Sequence, residues 1–164
     1  DPIIATVKEK SGLLQFKNTA SVLQWFQPIQ NKQRYKWIIF DLIDYYPSIS
    51  EKLLTDALKW AENFTTIDEE TKNIILHVRK TFLYYKGRAW VKRSEPEWDV
   101  TMGSFDSAEV ADLVSLFLLS LIDHLPIKAG IFKDRRTAVF SPVEQLRNYQ
   151  VTLAHVKQGL CHVM

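Results

Sequence analysis

From Asp106 to Ile122 the chain carries Ala108, Ala111, Val114, Phe117, Leu118, Leu121 and Ile122 at helical spacing, and beyond Leu113 apolar residues run nearly all the way round. Such a helix has no face to give to water, so the rest of the chain must cover it on several sides. Asp106 and Glu109 are positioned to cap its start. Material for the cover is plentiful: 46% of the chain is apolar, 12% is aromatic, and five Trp need somewhere to pack. A folded body is implied, and 164 residues suit one domain.

The remaining pattern alternates between helices and short strands. Tyr35 to Phe40 is aromatic and β-branched and reads as a buried strand that ends on Asp41. Pro47 then forces a turn. Ser48 with Glu51, and Thr66 with Glu69, are capping-box patterns. The first opens a helix burying Leu53, Leu54, Ala57, Leu58 and Ala61; the second opens one that turns Ile74, Ile75, Val78 and Phe82 inward. His77 on that second helix reads as a packed, hydrogen-bonded side chain. Phe82–Tyr85, Lys86-Gly87 and Arg88–Val91 read as a hairpin with a glycine-containing turn. Ala129–Lys133 and Thr137–Phe140 read as another, turning at Asp134-Arg135-Arg136.

Residues 1–12, with Lys8, Glu9, Lys10 and Gly12, read as a frayed or pairing arm, and Asn18 or Thr19 caps a short helix that Pro28 stops. Ser141-Pro142-Val143-Glu144 starts a last helix with Gly159 as its C-cap. The expected class is α+β: a small antiparallel sheet made by the Tyr35 strand and the Lys128 hairpin, with helices packed on one face.

Several function classes drop out. No Gly-rich phosphate loop of the Walker or dinucleotide type is present. The longest apolar run, Val114–Leu119, is too short to span a bilayer, so no membrane is expected. The single cysteine, Cys161, rules out an internal disulfide and suits a reducing, intracellular compartment. His155, Cys161 and His162 lack a fourth ligand for zinc. A net charge of +2 permits nucleic-acid contact without demanding it.

What remains is an acid on a strand end. Rigid strand ends hold carboxylates well for a divalent cation. If the Lys128 hairpin pairs with the Tyr35 strand, Asp134 and Asp41 come close, and two like charges there require a cation between them. Lys86 and Arg88, with Lys92 and Arg93, interleave with Tyr and Trp; they either contact phosphates and bases or block edge pairing. Gly103-Ser104 serves either a tight turn or close approach of a template or nucleotide.

Asp41, an aromatic at Tyr46 and then Pro47-Ser48-Ile49 resemble motif A of the polymerase palm, as found in reverse transcriptases and family B DNA polymerases. Asp99-Val100-Thr101-Met102-Gly103-Ser104-Phe105-Asp106 and Gly130-Ile131-Phe132-Lys133-Asp134 follow in the order of reverse-transcriptase-like proteins of mobile elements, and residues 18–140 take part. The resemblance implies a palm with part of the fingers and no thumb. It implies template-directed nucleotidyl transfer with Mg²⁺ (two ions, Mn²⁺ as substitute), Asp41 and Asp134 as metal ligands, and Tyr46 as the group that tests the sugar's 2′ position. The implied partners are a template-primer and a nucleoside triphosphate. The expected Tyr-x-Asp-Asp reads Phe132-Lys133-Asp134-Arg135, so a cation stands where the second acid would be and impaired catalysis is expected. The other expectation is a non-catalytic binding scaffold that keeps a palm fold.

Overall fold

A computed structural model describes residues 2–34, 36–41, 44–80, 82–90, 98–101, 103–123, 127–132 and 135–140. Among the described residues lie the helices α1 (Pro2–Ser11), α2 (Thr19–Phe26), α3 (Glu51–Ala61), α4 (Glu69–His77) and α5 (Ser107–Asp123). The described strands are β1 (Lys36–Asp41), β2 (Leu83–Tyr85), β3 (Arg88–Trp90), β4 (Ile127–Phe132) and β5 (Arg135–Phe140). The fold is α+β.

Helix α5 is the centre, as its composition requires. Val110, Ala111, Val114, Leu116, Leu118 and Leu119 are all buried. One side is covered by α3, whose Leu54, Ala57, Leu58 and Ala61 are 0–1% exposed. Truncating either leucine there to Ala would cost about 2–5 kcal/mol. Another side is covered by α1, through Ile4 and Val7. The first residues are therefore a helix and not an arm: Pro2 sits at the first helical position, and Lys8 reaches Asp112 of α5 at 3.3 Å. The charges at Lys8, Glu9 and Lys10 obscured an apolar stripe of Ile3, Ile4 and Val7.

Both central helix starts fall two residues later than the capping-box reading. Ser50 accepts from the Leu53 amide at 3.1 Å, and Asp68 accepts from the Thr71 amide at 2.7 Å. Ser48 is unavailable as a cap because it closes the preceding turn, its amide 3.0 Å from the Asp44 carbonyl oxygen. The inward face of α4 also differs. Lys72, Ile75, Leu76 and Arg79 turn inward, while Ile74 and Val78 are 56% and 47% exposed and Phe82 lies outside on the hairpin. Lys72 takes its place by bridging Glu62 and Glu69, and Arg79 by pairing with Asp106. His77 is exposed.

The larger sheet has the order β1-β5-β4 and is antiparallel throughout. Its hairpin turns sooner than expected: Phe132 pairs with Arg135, so Arg135 and Arg136 belong to the strand. Helix α5 packs on β4, with Ile131 against Leu119 and Ile122. Leu14–Phe16 runs along the free edge of β4, with the Phe16 amide 2.7 Å from the Ile131 carbonyl oxygen and the Ile131 amide 2.9 Å from that of Leu14. The Phe16 ring, tilted against Trp25 at 5.3 Å, fills the space over Gly130. Alternation along the strand turns Gly130 and Ile131 to opposite faces, so this ring covers the face away from α5. The β2–β3 hairpin stands apart as a two-stranded sheet. Its two-residue turn, with φ of 48° at Lys86 and 75° at Gly87, has the sign pattern of type I′. The expected helix after Ser141, its Gly159 cap, and His155, Cys161 and His162 lie outside the described residues, as do Lys92 and Arg93. No described helix is long and apolar enough to cross a membrane.

Two predictions follow from these contacts. A Cβ at Gly130 would lie 2.4 Å from the Phe16 ring, so Gly130→Ala is expected to lower stability by about 1–3 kcal/mol. In thermal denaturation, Phe16→Leu should recover part of that loss in the double variant. The amide and hydroxyl of Thr71 hold the Asp68 carboxyl below its ordinary 3.8. That contribution is present above pH 3.8 and fades as pH falls through the lower folded value. The melting temperature of Asp68→Asn should therefore gain on the parent between about pH 5 and pH 2.

Candidate functional site

Strand β1 carries Asp41 as its last residue, and there the register matters most. Asp41 is the pairing partner of Arg135, the first residue of β5, and Arg135 is in turn partnered by Phe132, the last of β4. The end of β1 thus adjoins the reversal of the β4–β5 hairpin. Asp134 falls between Phe132 and Arg135 in sequence and lies outside the described residues.

The chain leaves this end through a turn at residues 44–48, entered at Asp44 with a φ of 50°. Tyr45 fastens the turn to α5. Its hydroxyl donates to the Ala111 carbonyl at 2.7 Å and, its proton used there, accepts from Ser115 Oγ at 2.7 Å. Ile49 secures the other end, its carbonyl accepting from Trp98 Nε1 at 2.8 Å. Tyr46 is half-buried and meets Tyr45 edge-on, ring centroids 5.9 Å apart. Its ring is fixed in place by a neighbour that is itself anchored.

The loop holding Gly103 and Ser104 is also tied down. The Ser104 amide bonds the Thr101 carbonyl at 3.1 Å, and Ser107 Oγ donates to the Ser104 carbonyl at 2.8 Å. Gly103 has a φ of 91°, which favours glycine over any side chain. Asp106 pairs with Arg79, a guanidinium only 1% exposed. The Arg79 carbonyl meanwhile accepts from the Asp99 amide at 2.9 Å. One residue therefore holds both ends of the loop.

The structure thus gathers two of the expected elements on the first half of α5. The Gly103-Ser104 loop runs into Ser107, and Tyr45, next to Tyr46, is anchored about 6 Å further along at Ala111. Lys86 and Arg88 are exposed on the β2–β3 hairpin, which packs mainly on itself. Arg79 was not singled out from sequence. Its signal was its place four residues after Ile75, just past the end of α4 and in line with its inward face. Among the described residues no three His, Cys, Asp or Glu side chains converge as a metal set. Depressions of about 690 Å³ beside α4 and about 650 Å³ between α1 and α5 include neither Tyr46 nor Gly103 nor Ser104.

No family model matches the chain, and no curated protein or solved structure matches it either.

The Arg79–Asp106 pair gives a direct test of loop anchoring. Asp106→Asn leaves a buried guanidinium without a counter-charge and is expected to cost about 3 kcal/mol in urea unfolding. Arg79→Met in the same chain should recover much of it, because the uncompensated charge is then gone.

Proposed function

We propose that the chain is a palm-like domain of reverse-transcriptase type, built for template-directed nucleotidyl transfer and catalytically weakened. The pairing of Asp41 with Arg135 carries the reading. It supports a shared tip for the two sequence blocks that resemble the metal-binding motifs, although they stand far apart in the chain. The order β1-β5-β4, backed by α5, supports a palm-like arrangement.

Asp41 and Asp134 offer hard carboxylate oxygens, which suit Mg²⁺ or Mn²⁺. A divalent cation bound there would supply a lowered pKa for a primer 3′-hydroxyl and neutralise charge on a nucleoside triphosphate. Tyr46, fixed by Tyr45, would limit space at the sugar's 2′ position. Gly103 and Ser104, in a loop tied to Arg79, would let a template strand or nucleotide approach the backbone closely. Arg135 works against turnover. An arginine keeps its charge at any working pH, so its guanidinium would compete with a metal for the carboxylates as a counter-ion. A missing acid ligand removes several kcal/mol of charge stabilisation, about 10²-fold or more in rate.

That substitution also favours a second reading, in which the domain keeps the palm-like arrangement as a scaffold and binds nucleic acid or protein without chemistry. Primer extension on a homopolymer template with Mg²⁺ or Mn²⁺ separates the two. Arg135→Asp is expected to raise incorporation by about 10²-fold over the parent, and adding Asp41→Asn to it should abolish the gain. Silence of both the parent and Arg135→Asp would overturn the enzymatic reading and leave the scaffold.

A further inference from the structure

The β2–β3 hairpin turns large apolar rings to solvent among exposed cations. Phe82, Leu83, Tyr84, Tyr85 and Trp90 are each 55–75% exposed, a concentration of uncovered apolar surface that marks a binding face. From Lys80 to Trp90 the sequence has Lys80, Lys86 and Arg88 and not one acid. The face selects for an anion that also presents flat apolar surface.

The register defines how such a ligand would sit. Leu83 pairs with Trp90 and Tyr85 with Arg88, so these four side chains share one face of the hairpin. On that face Tyr85 and Trp90 lie on a diagonal, one strand apart and two residues along, about 5 Å by about 7 Å. Two rings so spaced can each take one unstacked base. Lys86 Nζ is 5.3 Å from the Tyr85 ring centroid, which brings a positive charge beside that platform. The hairpin is pre-organised by its tight turn, and Lys80, ahead of it in the chain, is bridged to Trp98. Its tip argues against an apolar partner: Lys86 and Gly87 would enter a protein groove or a bilayer first, and Lys86 would have to be desolvated there.

We infer that the β2–β3 hairpin is a stacking platform for an unpaired nucleic-acid strand, with bases on Tyr85 and Trp90 and phosphates at Lys86 and Arg88. The inference goes beyond the proposed chemistry and does not depend on it, since the hairpin packs mainly on itself.

Fluorescence anisotropy of the full chain with labelled oligothymidylate of about 20 nucleotides, titrated over a range of salt, tests it. Tyr85→Ala and Trp90→Ala should each weaken binding about tenfold with an unchanged salt slope. Lys86→Gln with Arg88→Gln should reduce the slope by about 0.7 per cation. Tyr85→Phe should bind like the parent, and a blunt duplex of equal length should bind less tightly than the single strand. Because all these side chains are exposed, unchanged thermal unfolding will accompany every variant. Binding is read without divalent cation or nucleoside triphosphate, which keeps failure of the catalytic reading distinct from failure of this one. The inference is overturned if the parent ignores the oligonucleotide, if the alanine variants bind as the parent does, or if the duplex binds equally well. It is also overturned if the variants lose only self-association or adsorption to anionic vesicles.

Discussion

Burial of most of α5, with only residues such as Ala108 and Leu121 left to solvent, is the constraint from which the architecture follows. A helix with Val114 and Leu116 fully buried needs several independent covers, and the chain supplies them from segments far apart in sequence. Helix α1 comes from the beginning, α3 from the middle and β4 from beyond α5 itself. Hydrophobic burial is not directional, so it brings these pieces together without deciding how each is oriented.

Orientation comes from a few polar fastenings. The Tyr45 hydroxyl spends its hydrogen bonds on the Ala111 carbonyl and Ser115, which fixes the turn after β1 on α5. Arg79 is the more consequential fastening, because a buried guanidinium is stable only with its counter-charge in place. Its pairing with Asp106 and its carbonyl bond to Asp99 hold the glycine loop from both ends. The Nε of Arg79 nonetheless has no hydrogen-bond partner among the described residues. That loop is thus held by a strong but incompletely satisfied group.

Much of this was legible in the sequence, for identifiable reasons. The central helix, the hydrophobic face of α3 and the Lys86-Gly87 turn follow from periodicity and turn chemistry, while the pairing of the Tyr35 strand with the Lys128 hairpin was an expectation of one small sheet that the register bears out. The inward face of α4 was not legible, since Arg79 and Lys72 look like solvent-facing cations until their partners at Asp106, Glu62 and Glu69 are known. Helix α1 was hidden for the converse reason: its charged residues outweighed Ile4 and Val7 until α5 gave them something to cover. At the candidate site, motif order singled out the end of β1, and the register joins it to the start of β5. The role of Arg79 could only emerge from the loop it holds.

The larger sheet joins residues near position 40 to residues near position 136, and its outer edge is finished by Leu14–Phe16. Such distant pairings carry a high entropic cost before any contact rewards it, and they make strand assembly slow. Helices α3, α4 and α5 lie between the paired strands and make mainly nearer contacts. During synthesis, then, the helical body can gather first while β1 waits for the hairpin to emerge. Until that moment β1 is a bare strand edge, and it is there that a nascent or overheated chain would be open to misassembly with its neighbours.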